Sequence, residues 1–200
     1  MNNNIENYLF YKSEFLQKDF CRHVLKVLEL SKWDKHNFIS YDSSSEIRFA
    51  PSGDHEPDFL AHDSKGWTTT AYPSQINNFI IKELRNAIVE YISELRFPWF
   101  NSWTGYSKIK FLRYSEHQRM AGHCDHISSL FDGNTKGIPI LSIIGALNDD
   151  YEGGELIMFQ DKEIKMKAGD LIIFPSIFLY PHRIEPIIKG KRYSYVSWLF

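Results

Sequence analysis

Residues 122–128 read GHCDHIS, so His123, Cys124, Asp125 and His126 stand side by side as candidate metal ligands or acid–base groups. On a strand, positions i and i+2 share a face, which lets His123 and Asp125 converge on one ion while Cys124 points away. That geometry disfavours a zinc site built from the adjacent Cys and His. Two imidazoles and one carboxylate on one face of an ion suit non-haem Fe(II) and leave positions open for other ligands. The second imidazole has to come from elsewhere, and His182, in LYPHRIEP, starts a late strand that a closing barrel can bring alongside. On its own, HxD is more often a surface hydrogen-bonding pair than a metal site. His117, His126 and the earlier histidines read as exposed or locally hydrogen-bonded groups.

Arg192 follows in KGKRYSYVSWLF, where KGK reads as a turn that sends the chain back as the next strand. A guanidinium carried into the same barrel, behind the metal, would grip a dicarboxylate through two parallel hydrogen bonds. Ser194 shares a face with Arg192 and can add a further hydrogen bond. Taken alone, Arg192 also reads as a rim arginine on a basic turn. A hydrolase built on a His–Asp dyad has little support, because the chain has no GxSxG and Cys124 has no evident base.

These groups need elements to position them. With 200 residues, 43% of them hydrophobic and 16% aromatic, the chain can bury a sizeable core in a single domain. Residues 13–30 and 74–95 carry apolar residues at helical spacing (Leu16, Phe20, Val24, Val27, Leu28; then Ile76, Ile80, Leu84, Ile88, Ile92). Ser74 is the expected N-cap of the second helix, and Pro98 lies just past its end. Residues 38–72 are polar and rich in turn formers, which reads as loops with short strands. From about residue 105 the pattern becomes short strands: YSKIKFLRY, IPILSIIGAL, GELIMF, EIKMK, DLIIFP and RYSYVSWLF, separated by turn signals. That spacing suggests a sandwich, barrel or jelly roll with a helical layer packed on it.

A net charge of -2 argues against a general nucleic-acid binder, which needs a basic excess. Two distant cysteines, Cys21 and Cys124, make no disulfide framework and suggest a reducing compartment. The N-terminus has no secretory pattern, and no apolar stretch is long enough to span a bilayer. Cytoplasmic location, with no membrane contact, is the expectation; oligomeric state is unknown at this level.

Across residues 106–200 the sequence resembles the Fe(II)- and 2-oxoglutarate-dependent dioxygenases, in particular their prolyl-4-hydroxylase-like branch. FLRYSEHQRMAGHCDH is similar to that branch's first ligand strand. LSIIGALNDDYEGGELIMF is similar to its next strand, Leu-Asn turn and Gly-Gly-Glu-Leu hairpin. The closing half, from KAGDLIIFPS through LYPHRIEPIIKGKRYSYVSWLF, carries the distal His, the Arg and a Trp in the family order.

The resemblance implies a mainly β, α+β fold: a double-stranded β-helix (jelly roll) core over 105–200, with residues 1–104 forming a helical and loop layer on one face of a single 1–200 domain. It implies Fe(II) held by His123, Asp125 and His182, with Arg192 on the distal carboxylate of 2-oxoglutarate, where Ser194 on the same face can add its hydrogen bond. Tyr114 occupies a position where the family often has a tyrosine touching the cosubstrate, though it reads equally as a packed strand aromatic. Trp198 resembles a pocket-wall tryptophan, with core packing the alternative. Gly153 and Gly154 read as turn residues. With O2 as the other cosubstrate, the implied reaction hydroxylates an unactivated C–H, most simply of a prolyl residue in a peptide or protein, and releases succinate and CO2. A free amino acid, a small metabolite, or a non-enzymatic jelly-roll binding protein are the competing readings. The segments 97–106 and 126–137 are the candidate substrate contacts.

The chain departs from the family pattern at three places. Gly145 and Ala146 stand where many relatives have an aromatic residue. His117 stands where a glycine is common, and collagen-type prolyl hydroxylases often have lysine at the position of Arg192.

Overall fold

The structure is a computed structural model that describes residues 4–41, 47–55, 73–96, 103, 105–125 and 139–200. Its elements, in chain order, are β1 (Phe10–Lys12), α1 (Lys18–Glu29), β2 (Asp34–Tyr41), β3 (Ile47–His55), α2 (Pro73–Leu95), β4 (Lys110–Tyr114), β5 (Met120–His123), β6 (Leu141–Ala146), β7 (Glu152–Gly153), β8 (Leu156–Met158), β9 (Lys162–Ile164), β10 (Leu171–Pro175), β11 (His182–Ile184), β12 (Ile187–Lys189) and β13 (Arg192–Leu199). A seven-stranded sheet runs β1-β10-β6-β13-β4-β3-β2, and a four-stranded sheet runs β5-β11-β8-β9. Every pairing is antiparallel. This is a mainly β, α+β jelly roll with helices on one face, as expected.

Period-two alternation explains how both faces of the large sheet are used. On β13, Tyr195 and Leu199 join a cluster with Val24, Val27, Leu28, Ile80, Leu84 and Ile88 from the helices. Their neighbours Arg192, Ser194, Val196 and Trp198 face the other way, into a pocket between the sheets. Leu112, Ile144, Ile172 and Phe174 of the large sheet meet Leu156, Met158 and Ile184 of the small one in a second cluster. β6 is buried at all six positions because it is covered on both sides, which is why IPILSIIGAL reads as a continuous apolar run.

Three features differ from expectation. The first helix starts at Lys18, not residue 13, because the Glu14 N–H donates to Asp170 Oδ1 at 2.9 Å and Leu16 N–H to the Gly169 carbonyl at 2.9 Å, holding 14–16 as a turn. The second helix begins with Pro73, so Ser74 lies inside it rather than capping it; proline suits that first position because its missing N–H would be unpaired anyway. In the polar stretch 38–72, expected as loops with short strands, the described residues belong to the eight-residue β2 and nine-residue β3, which pair from Asp34↔His55 to Tyr41↔Ile47 and extend the large sheet past β4; 42–46 and 56–72 lie outside the described residues. An edge hairpin needs no continuous apolar run, so its polar sequence does not announce it. Among the described residues, no helix is long and apolar enough to cross a membrane.

Candidate active site

β5 pairs with β11 so that His123 and His182 are direct partners, and their rings lie 4.3 Å apart between centroids. Asp125 lies beyond the end of β5, which stops at His123, so its carboxylate arrives through the turn rather than along the strand. The convergence expected from HxD is nevertheless present. Asp125 Oδ1 is 3.4 Å from His123 Nε2 and 3.7 Å from His182 Nε2, and the three donor atoms lie within 4.8 Å of one another.

Hydrogen bonds orient each donor. His123 Nδ1 is 3.0 Å from the Ala121 carbonyl and His182 Nδ1 is 3.2 Å from the Tyr180 carbonyl. A carbonyl only accepts, so each Nδ1 carries the proton and each Nε2 presents a lone pair toward the carboxylate. Asp125 Oδ2 receives the Ser142 hydroxyl at 2.5 Å and the Trp198 indole N–H at 2.9 Å, which leaves Oδ1 facing the histidines. Two lone pairs and an anionic oxygen directed at one another, with no proton between them, fit a cation.

Protonation agrees with that arrangement. Burial, reinforced by neighbouring His123, pushes His182 down to about 4, against the opposing pull of Asp125, so it is neutral at physiological pH. Burial opposes ionisation of Asp125, but at the low pH where it would protonate, the charged forms of His182 and His123, with the Ser142 hydrogen bond, hold it well below the usual carboxylate range. His182 Nε2 and the Asp125 carboxylate are thus free of protons, as metal binding requires.

Arg192 is 2% exposed and lines the same pocket, which has a volume of about 520 Å³ including its mouth. Its guanidinium donates to Ser194 Oγ at 3.0 Å and sits 5.6 Å from the Tyr114 ring centre. Among the described residues, no carboxylate pairs with it, and a buried guanidinium without a counter-charge is costly unless an anion joins it. Tyr114 is buried in the pocket wall, and its hydroxyl reaches Met120 Sδ at 3.3 Å, so it supports Arg192 from below with its ring.

The departures from the family pattern acquire physical reasons. His117 adopts φ 68°, the left-handed conformation that favours glycine, so the turn before β5 is kept. Gly145 cannot be larger on its outer face: a Cβ there would lie 2.0 Å from the Tyr195 ring. Gly154, at φ 68°, leaves no room for a Cβ beside Ile187 and comes close to the Arg192 stem. Segments 97–102 and 126–137 lie outside the described residues, and His126 with them. Trp103 and Tyr106 pack partly buried against the helix-side cluster.

Ser142 escaped the sequence reading. The available signal was a single hydroxyl inside an otherwise apolar strand, a residue that a buried strand accepts only with a partner.

The profile of the 2OG-Fe(II) oxygenase superfamily matches residues 109–200. Those residues belong to that superfamily. The region carries all three clustered donors and Arg192. A PKHD-type hydroxylase of Aliarcobacter butzleri (strain RM4018) is 38% identical over 96 residues, 44% of this chain and 41% of its own length. A PKHD-type hydroxylase of Prochlorococcus marinus (strain AS9601) is 30% identical over 141 residues, 66% of this chain and 63% of its own length. The chain thus spans less than two thirds of the length of either relative. A prolyl hydroxylase from Trichoplax adhaerens, solved in complex with a hypoxia inducible factor oxygen degradation domain peptide fragment, has the same fold with a TM-score of 0.63 at 18% identity, covering 97% of this chain and 84% of its own. The likeness in fold therefore extends beyond residues 109–200 to nearly the whole chain.

Proposed function

We propose that this chain is a single-domain Fe(II)- and 2-oxoglutarate-dependent dioxygenase that hydroxylates a prolyl residue. The observation that carries the reading is Asp125 Oδ1 facing two imidazole lone pairs, in one pocket with a buried Arg192 that no carboxylate pairs among the described residues. His123, Asp125 and His182 would hold Fe(II) on one face and leave the opposite positions open. Fe(II) there supplies oxidative chemistry in which 2-oxoglutarate, O2 and a C–H bond give succinate, CO2 and a hydroxylated carbon.

The chain's own residues do the positioning. Arg192, braced by Ser194 and the Tyr114 ring, would bind the distal carboxylate of 2-oxoglutarate and set the reach of its keto-acid end toward the triad. Ser142 and Trp198 fix Asp125 so that it offers one oxygen only. Ile144, Ile184 and Val196 line the pocket with apolar surface that excludes water. The prolyl assignment is supported by the peptide-bound prolyl hydroxylase that shares the fold and by the hydroxylase relatives.

The test is anaerobic loading with Fe(II) and 2-oxoglutarate, admission of air, and measurement of succinate with and without proline-containing substrates. Stimulated succinate, with one oxygen atom added to proline, is the expected result. Stimulation by non-prolyl substrates alone would retain the oxygenase and refute the prolyl assignment.

A further inference from the structure

Lys110 is the one lysine lining the pocket among the described residues, and it touches neither the His–Asp–His triad nor Arg192 in any hydrogen bond or ion pair there. It sits on β4 with Leu112 and Tyr114 on its inward face, and its strand partner on β13 is Val196, midway between Ser194 and Trp198. That register puts it beside the metal-binding end of the pocket, well away from the Arg192 rung, which lies opposite Tyr114.

Its ammonium has no carboxylate or other hydrogen-bond partner among the described residues. Asp125, in the same pocket, is already committed: Oδ2 to Ser142 and Trp198, Oδ1 toward the histidines. Long lysine stems often cover apolar surface while the charge reaches water. Here burial alone pulls the ammonium down to about 8, so its head is substantially desolvated rather than free in solvent.

Charge balance points the same way. The metal, Asp125, Arg192, Lys110 and a doubly charged 2-oxoglutarate together leave one positive charge in a low-dielectric pocket. A substrate bearing one negative charge removes it.

Resting on the proposed oxygenase reading, we propose that Lys110 binds a carboxylate of the substrate. Because Lys110 lines the pocket of the triad itself, that carboxylate belongs to the residue being hydroxylated. The substrate class is then a free imino or amino acid, or a chain ending in proline, rather than a proline inside a neutral peptide.

The full chain, loaded anaerobically with Mn(II) and 2-oxoglutarate, would be titrated calorimetrically with N-acetyl-L-proline and N-acetyl-L-prolinamide. The probes differ only in the carboxylate. We expect the wild type to bind the acid about tenfold or more tightly than the amide, a preference of about 1.4 kcal/mol. Lys110→Met should lose the preference, and Lys110→Arg should retain it. The affinity of Lys110→Met for 2-oxoglutarate should stay within about twofold of wild type.

Equal binding of the two probes, binding of neither, or a preference that survives in Lys110→Met overturns the inference. Weakened 2-oxoglutarate binding in Lys110→Met, without a change in probe preference, also overturns it and gives the charge to the cosubstrate. Loading of Mn(II) and 2-oxoglutarate is measured first; its failure in the wild type refutes the oxygenase reading instead.

Discussion

The two faces of the large sheet use the same strands for opposite ends. The face under the helices is close to uniformly apolar: Phe111, Ile143, Tyr195 and Leu199 meet Val24, Ile80, Leu84 and Ile88. The face toward the small sheet is studded with buried polar groups, among them Ser142, Arg192, Ser194 and the indole N–H of Trp198. Neighbouring residues on one strand, such as Ser194 and Tyr195, therefore belong to different problems. One face supplies burial energy, and that stability lets the other hold desolvated charge and proton-free ligands in place.

The sharpest way to break this division is to cross it. Asp125→Ala on the pocket side should abolish turnover and Fe(II)/2-oxoglutarate binding while the fold persists, read by succinate formation beside circular dichroism. Leu84→Ala on the helix side should cost about 2–5 kcal/mol of stability by denaturant unfolding. Below its melting temperature, it should leave cosubstrate binding intact. A loss of binding in folded Leu84→Ala would show that the faces are not independent.

Arg192→Ala should weaken 2-oxoglutarate binding by on the order of 2–4 kcal/mol through loss of a charge-assisted pair. Calorimetry of the cosubstrate checks this, and unchanged affinity would remove Arg192 from its assigned role. Trp198→Phe deletes one of the two donors to Asp125 Oδ2, so metal affinity should fall about 10–100-fold; a metal titration with an unchanged Kd would contradict the positioning argument. The smallest expected effect is on the helix side: the Tyr195 hydroxyl is buried without a hydrogen-bond partner among the described residues. Tyr195→Phe should leave stability unchanged or raise it by about 1 kcal/mol, with binding untouched.

The same division explains what was legible in the sequence. Strand alternation from residue 105, the HxD pair, the late His182 and Arg192 ten residues after it are local patterns, and their order was enough to suggest the fold and the donors. Ser142, Lys110 and the hydrogen bond from Trp198 were not legible. Each depends on which strand pairs with which, and a serine in an apolar run looks the same whether it faces a carboxylate or a methyl group. By composition Lys110 lies on the strand face opposite Ile109 and Phe111, and only the pairing with β13 shows that this other face is the pocket wall, with no partner for the ammonium among the described residues. β2 and β3 were obscured for a related reason: a polar edge hairpin is specified by its pairing with β4 more than by its own composition.

His123, Asp125 and His182 share one pocket with Arg192, and their proposed roles are to hold the metal and to bind 2-oxoglutarate. The most direct measurement is an anaerobic titration of the metal-free protein with Fe(II) and 2-oxoglutarate, followed by visible absorption, with His123→Ala beside it. The expected result is the charge-transfer band of an iron–keto-acid chelate in the wild type and its loss in folded His123→Ala. No band in folded wild-type protein, or an undiminished band in the variant, would contradict it.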